Sequence, residues 1–130
     1  MSRYRDLTAP VVRGWVGCVV TVAVFLGAAA IGGHPGVAVA ATWVLVTGTY
    51  CLANFCCCRE THCVVTGAGW AVLGLLALAV VSIPGGGPGW IRVDVLALPF
   101  LAILGAGYCF ECLVAARTGR HALGVGGRHA

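Results

Sequence analysis

Residues 37–83 decide the fold: VAVAATWVLVTGTYCLANF (37–55), then CCCRETHC (56–63), then VVTGAGWAVLGLLALAVVSI (64–83). The two outer segments carry no charge, and the octet between them holds one Arg, one Glu, one His and four Cys. A bilayer core of about 30 Å is crossed by about 20 apolar helical residues. The stretch therefore reads as a helical hairpin in lipid, with a polar, thiol-rich turn at one membrane face.

The same pattern extends in both directions. Residues 14–33 form an apolar run between Arg13 and His34-Pro35-Gly36, and residues 95–116 form another between Asp94 and Arg117. The expected spans are thus about 14–33, 37–55, 64–83 and 95–116. His34-Pro35-Gly36 is expected as a tight outer turn, and Arg59 to His62 as a tight inner one. The loop from Pro84 to Asp94 is longer and rich in Gly and Pro. Backbone groups in lipid must be satisfied within their own segment, which leaves helices as the reading. Short connections make neighbours antiparallel. The fold class is an all-α membrane protein, one four-transmembrane-helix up-down bundle, with residues 117–130 a mobile cytoplasmic tail. Gly14, Gly17, Ala23, Gly27, Gly67, Gly74, Gly105 and Gly107 are expected at close helix contacts.

Composition agrees. The chain has 130 residues, 60% hydrophobic and 9% charged, against roughly 25% charged in a soluble domain. A water-facing shell cannot be built from so few charges. The net charge of +4 comes without a basic helix or basic–aromatic interleaving, so no nucleic-acid partner is expected. Instead the arginines set orientation. Arg3, Arg5, Arg13, Arg59, Arg117, Arg120 and Arg128 fall on one side of the four spans, and Arg92 alone on the other. The positive-inside rule then places both termini in the cytoplasm, in a multi-pass inner-membrane protein whose first partner is the lipid bilayer. Trp15, Trp70 and Trp90 are expected near span ends. A cleaved signal peptide ending near Ala38-Val39-Ala40 is the rival at the N-terminus. Its apolar run exceeds the usual core of about 7–15 residues, which favours a retained first span.

Chemistry concentrates in the eight cysteines. Cys56, Cys57 and Cys58 are consecutive, and His62 and Cys63 follow across the turn. Cys109 and Cys112 form Cys-Phe-Glu-Cys around Glu111, the one charge within a span. Cys18 and Cys51 suit small apolar fillers. All eight are expected in the cytoplasmic half, where thiols stay reduced. Thiolates suit soft cations, among them Cu(I), zinc and mercury(II). A buried carboxylate in lipid marks a functional end of its helix. The candidate ligands are Cys56, Cys57, Cys58, His62, Cys63, Cys109, Cys112 and Glu111. His34, His121 and His129 read as solvated. No Ser/His/Asp set, paired carboxylates or nucleotide fingerprint is present.

The turn Cys58-Arg59-Glu60-Thr61-His62-Cys63-Val64-Val65-Thr66-Gly67 resembles a signature of small uncharacterised four-helix prokaryotic membrane proteins. In those, a Cys-x-x-x-His-Cys turn precedes a Thr-Gly helix start, and a Cys and a Glu recur in the last span. More widely, the chain is similar to the mercury-resistance membrane transporters. That resemblance implies that Cys56, Cys57, Cys58 and Cys63 form an inner cysteine relay; the expected mechanism adds Cys109 and Cys112 as the acceptor across the bundle and Glu111 as a charge balance. The resemblance also implies transport or a resistance accessory, with a homo-oligomer or a cytoplasmic metal-accepting thiol protein as partner. Those transporters carry a cysteine pair in the first helix, where this chain has only Cys18. Two other readings stay open. One is a quinone-linked or vitamin K epoxide reductase-like thiol–disulfide oxidoreductase, with Cys109 and Cys112 as the active pair and Cys57 or Cys63 as the shuttle. The other is a structural or accessory subunit without chemistry.

Overall fold

The computed structural model describes residues 10–58, 61–84 and 91–119, with side chains described from residue 15 onward and not for residues 56–58. It is built of four helices: α1 (Pro10–Ile31), α2 (Gly33–Cys58), α3 (Thr61–Val81) and α4 (Val93–Thr118). Of these, α2, α3 and α4 are long and apolar enough to cross a membrane, and α1 adds a shorter apolar stretch, Trp15–Ile31. The expected Gly-rich loop at 85–90, Arg59, Glu60 and the tail at 120–130 lie outside the described residues.

The helix ends differ from the sequence reading, and the starts of α2 and α3 do so for a common reason. The first turn of a helix has backbone N–H groups without intrahelical partners, so it tolerates residues that read as a turn. Pro35 belongs there because its missing N–H costs nothing at that position. His34-Pro35-Gly36 is accordingly the start of α2 rather than the outer turn. The chain reverses at Gly32 and Gly33, at φ of 70° and 54° in the left-handed region that glycine enters without strain. Likewise, Thr61, His62 and Cys63 form the first turn of α3, not a connection before it. At the far end, α4 continues through Arg117 to Thr118, two residues into the expected tail. It closes on Gly119 (φ 66°), whose N–H donates to the Ala115 carbonyl at 2.8 Å.

Consecutive helices run antiparallel, as their matched contacts show. Along α2 and α3, a Cβ on Gly48 would lie 2.5 Å from the Ala71 amide nitrogen, and one on Gly74 would lie 2.7 Å from that of Leu45. Those backbones touch, which only residues without a side chain allow. Gly67 faces α2 as expected, whereas Gly17, Gly27 and Gly105 meet nothing within 4 Å and do not serve as helix contacts. Between α1 and α2, the Trp43 indole donates to Thr21 Oγ1 at 3.2 Å.

Ala28, Val37, Ala40, Ala41, Val44, Trp70, Val93, Leu96 and Phe100 form the core. Trp70 is the clearest departure from expectation. It sits in the middle of α3, 8% exposed, on the face that packs against α4. Its ring stacks on Phe100 at 4.4 Å and its indole N–H donates to the Phe100 carbonyl at 3.0 Å. A buried indole needs such a partner. The outward faces are apolar too: Leu26, Leu76, Leu98 and Leu101 are each at least 59% exposed.

Candidate metal centre at the start of the third helix

The antiparallel register brings the end of α2, the start of α3 and the last third of α4 to one end of the bundle. There α4 approaches α3 through Gly107, where a Cβ would fall 2.5 Å from Thr66 Cγ2 and 3.7 Å from the His62 Cβ. Thr66 is itself fixed, being buried and donating through Oγ1 to the His62 carbonyl at 2.6 Å. This close approach sets Tyr108 and Glu111, one turn apart on α4, against His62.

Among the described residues, Glu111, Tyr108 and Cys63 contact the His62 ring. Its Nδ1 pairs with Glu111 Oε2. Its plane stacks on Tyr108, with centroids 5.0 Å apart and 14° between the planes. Its Nε2 lies 3.5 Å from Cys63 Sγ. The last contact is unusual, because adjacent residues on a helix diverge by about 100° and do not ordinarily face each other. The ring is swung toward its neighbour and clamped there from α4. The Glu111 carboxyl thus holds one ring nitrogen while the other faces the Cys63 sulfur. Cys63 is 4% exposed, and the His62 and Glu111 side chains are 20% and 14% exposed. The result is a line from sulfur through imidazole to carboxylate, largely withdrawn from solvent. Next to it, the buried Thr61 Oγ1 has no hydrogen-bond partner among the described residues.

Such a line can act in two ways. A neutral imidazole nitrogen and a thiolate are both good ligands for a borderline or soft cation, and a carboxylate behind the other ring nitrogen is a common support for a ligating histidine. Alternatively, an imidazole beside a thiol can accept its proton and leave a nucleophilic sulfur.

Of the residues singled out in the sequence, His62, Cys63 and Glu111 are brought together. Cys109 and Cys112 carry free thiols that are exposed on α4. The backbone of Cys56, Cys57 and Cys58 forms the last turn of α2, and their side chains lie outside the described residues. Among the described residues no three of His, Cys, Asp and Glu group to hold a metal by themselves. Cys51 is half-buried and packs against the core, whereas Cys18 is exposed on α1. His34 is exposed at the opposite end, in a cavity of about 480 Å³ with Arg92 and Asp94, which pair at 3.0 Å.

Sequence reasoning named Gly107 as a helix contact without linking it to the site, and missed Tyr108 altogether. Tyr108 stands three residues before Glu111, on the same helix face by i,i+3 spacing, which was the available signal. Comparison of the chain with protein-family models, with curated proteins and with solved structures finds no match.

Proposed function

We propose that this chain is a multi-pass membrane protein that binds a thiophilic cation at its cytoplasmic end and passes it on, as a transporter or resistance accessory. The observation that carries the reading is the Cys63 Sγ–His62 Nε2 pair with Glu111 behind the ring, two residues beyond the Arg59-Glu60 link from three further cysteines. Apolar faces on all sides of the bundle support a lipid surrounding, and the arginine distribution supports cytoplasmic termini in the inner membrane. In this account Cys63 and His62 bind the ion first, with thiolates of Cys56, Cys57 and Cys58 as additional ligands drawn from the end of α2. Glu111 fixes the ring and offsets the charge of the cation. Cys109 and Cys112, exposed at the same end of the bundle, receive the ion for an acceptor outside the monomer, either a second copy or a cytoplasmic thiol protein. Mercury(II), Cu(I) and zinc are the cations to test.

Substituting Cys56, Cys57 and Cys58 together by Ser tests the role of the triplet. The purified variant should bind less metal per chain, and cells carrying it should change in metal sensitivity. Full retention of both properties would remove the triplet from the account.

A second reading is favoured by the same line of atoms. Cys63, with His62 as base and Glu111 as its orienting carboxylate, has the order of an activated thiol, which suits thiol–disulfide exchange. It differs from the expected Cys109–Cys112 pair in naming Cys63 as the attacking sulfur. Trapping of a mixed disulfide at Cys63 in cells, absent in a His62→Ala variant, would establish it over metal binding.

A further inference from the structure

The geometry points to Cys56 and Cys63 as a redox pair, closing a reversible disulfide between α2 and α3 by exchange with a low-molecular-weight disulfide. The inference rests on the thiol–disulfide reading above and names the second sulfur. The two helices keep one register. A Cβ on Gly74 would lie 2.7 Å from the Leu45 amide nitrogen, one on Gly48 2.5 Å from that of Ala71, and one on Gly67 3.0 Å from that of Leu52. Leu45, Gly48 and Leu52 thus meet Gly74, Ala71 and Gly67, and each step forward on α2 matches an equal step back on α3. The next turn puts Cys56 level with Cys63. Cys56 also falls on the stripe of α2 that carries Leu45 and Leu52, one turn beyond Leu52 and about three beyond Leu45. Cys57 and Cys58 stand about 100° and 200° further round the helix. A disulfide joins Cα atoms about 4.4–6.8 Å apart, whereas helices ordinarily pack with their axes about 8–10 Å apart. Backbone-to-backbone contact at Gly48, Gly67 and Gly74 brings α2 and α3 closer than that. Only two residues separate Cys58, the end of α2, from Thr61, the start of α3, so the helices have no room to splay at this end.

The surroundings of Cys63 suit it to exchange. The thiolate is the nucleophile, and His62 Nε2, 3.5 Å from Cys63 Sγ, is placed to take the thiol proton. Glu111 and Tyr108 hold the ring in that position from α4. The oxidant is the incoming disulfide, RSSR. One thiolate of the pair attacks it, forms a mixed disulfide and expels the first RS group. The second thiolate then attacks the chain's own sulfur in that mixed disulfide and expels the other RS group. Two electrons pass from the pair to RSSR, and the two cysteine protons leave on two molecules of RSH. Two equivalents of thiol reverse the reaction. Cys63 is 4% exposed, which favours a small disulfide over one carried by a folded protein, and favours closure on a sulfur within the chain.

The test equilibrates the full-length protein in detergent with glutathione buffers of varied GSH/GSSG ratio, followed by acid quenching, alkylation and tryptic digestion. Cleavage after Arg59 separates Cys56 from Cys63, so their disulfide appears as a linked pair of peptides whose fragmentation locates both sulfurs. Wild type should give the Cys56–Cys63 link, reopened by excess GSH. That measurement needs no variant and so decides the matter even if substituted proteins fail to fold. The double variant Cys57→Ser/Cys58→Ser should keep the link, and Cys56→Ser should lose it. An ordinary thiol, with a pKa near 8.5, is only a few per cent ionised at pH 7, so His62→Ala should slow closure there by up to about 30-fold. The gap should narrow near about pH 9.5, where the thiol ionises unaided. Equal rates for wild type and His62→Ala at both pH values would remove His62 as the proton acceptor. A Cys63 link to Cys57 or Cys58, or a glutathione adduct at Cys63 with no internal bond, would overturn the pairing and leave thiol–disulfide exchange standing. A Cys63 that stays a thiol at every ratio would overturn both.

Discussion

Replacing Gly107 by Ala tests whether the approach of α4 is what builds the site. The added Cβ would lie 2.5 Å from Thr66 Cγ2. Carbon atoms pack at about 3.5–4.0 Å, so roughly 1 Å or more must be found. Thr66 cannot turn aside freely, since it is buried and its hydroxyl donates to the His62 carbonyl at 2.6 Å. Either α4 moves out, drawing Glu111 and Tyr108 from His62, or Thr66 rotates and frees the His62 backbone. Overpacking of this kind costs about 1–3 kcal/mol. Gly105→Ala, two residues earlier, is the internal control because nothing lies within 4 Å of its Cβ. It should be neutral or stabilising, by up to about 1 kcal/mol of helix propensity. Equilibrium unfolding in mixed micelles measures the difference between the two variants. Metal affinity should fall in Gly107→Ala and hold in Gly105→Ala. Equal stability and affinity for the two would refute the idea that Gly107 seats the site.

Three further outcomes follow from the same packing. Trp70→Phe keeps the stack on Phe100 but removes the indole donor to its carbonyl, and should lower stability by about 0.5–1.5 kcal/mol in the same unfolding assay. His62→Ala leaves the part-buried Glu111 carboxyl without its hydrogen-bond partner inside the bundle and should lower stability by about 1–3 kcal/mol, and His62→Ala with Glu111→Leu should recover part of it. In detergent, a small maleimide should modify Cys109 and Cys112 quickly and Cys63 only after denaturation, read by mass spectrometry of the digested protein.

The four helices were legible because apolar runs near membrane length, with Glu111 their one charge, admit few other structures. Their ends were less legible. His34-Pro35-Gly36 and Thr61-His62-Cys63 look like turns by composition, yet the first helical turn accepts such residues, and Trp70, expected near a span end, stands mid-helix and packs on Phe100. Which residues meet at the site was harder still. His62 and Glu111 stand 49 positions apart and join only through the α3–α4 register that Gly107 permits. Helices that are apolar all round carry no amphipathic stripe to mark their inward face. For that reason the spacing of Cys109 and Cys112 showed that they share a face, but not that the face is exposed while Glu111 turns inward.

Equilibrium competition of the purified protein against a chromophoric zinc chelator tests the central claim most directly. Wild type should bind one zinc per chain, Cys63→Ser should lose that binding, and the double variant Cys109→Ser/Cys112→Ser should keep it. Undiminished zinc affinity in Cys63→Ser, or loss only in the Cys109/Cys112 variant, would contradict a metal centre at the start of the third helix.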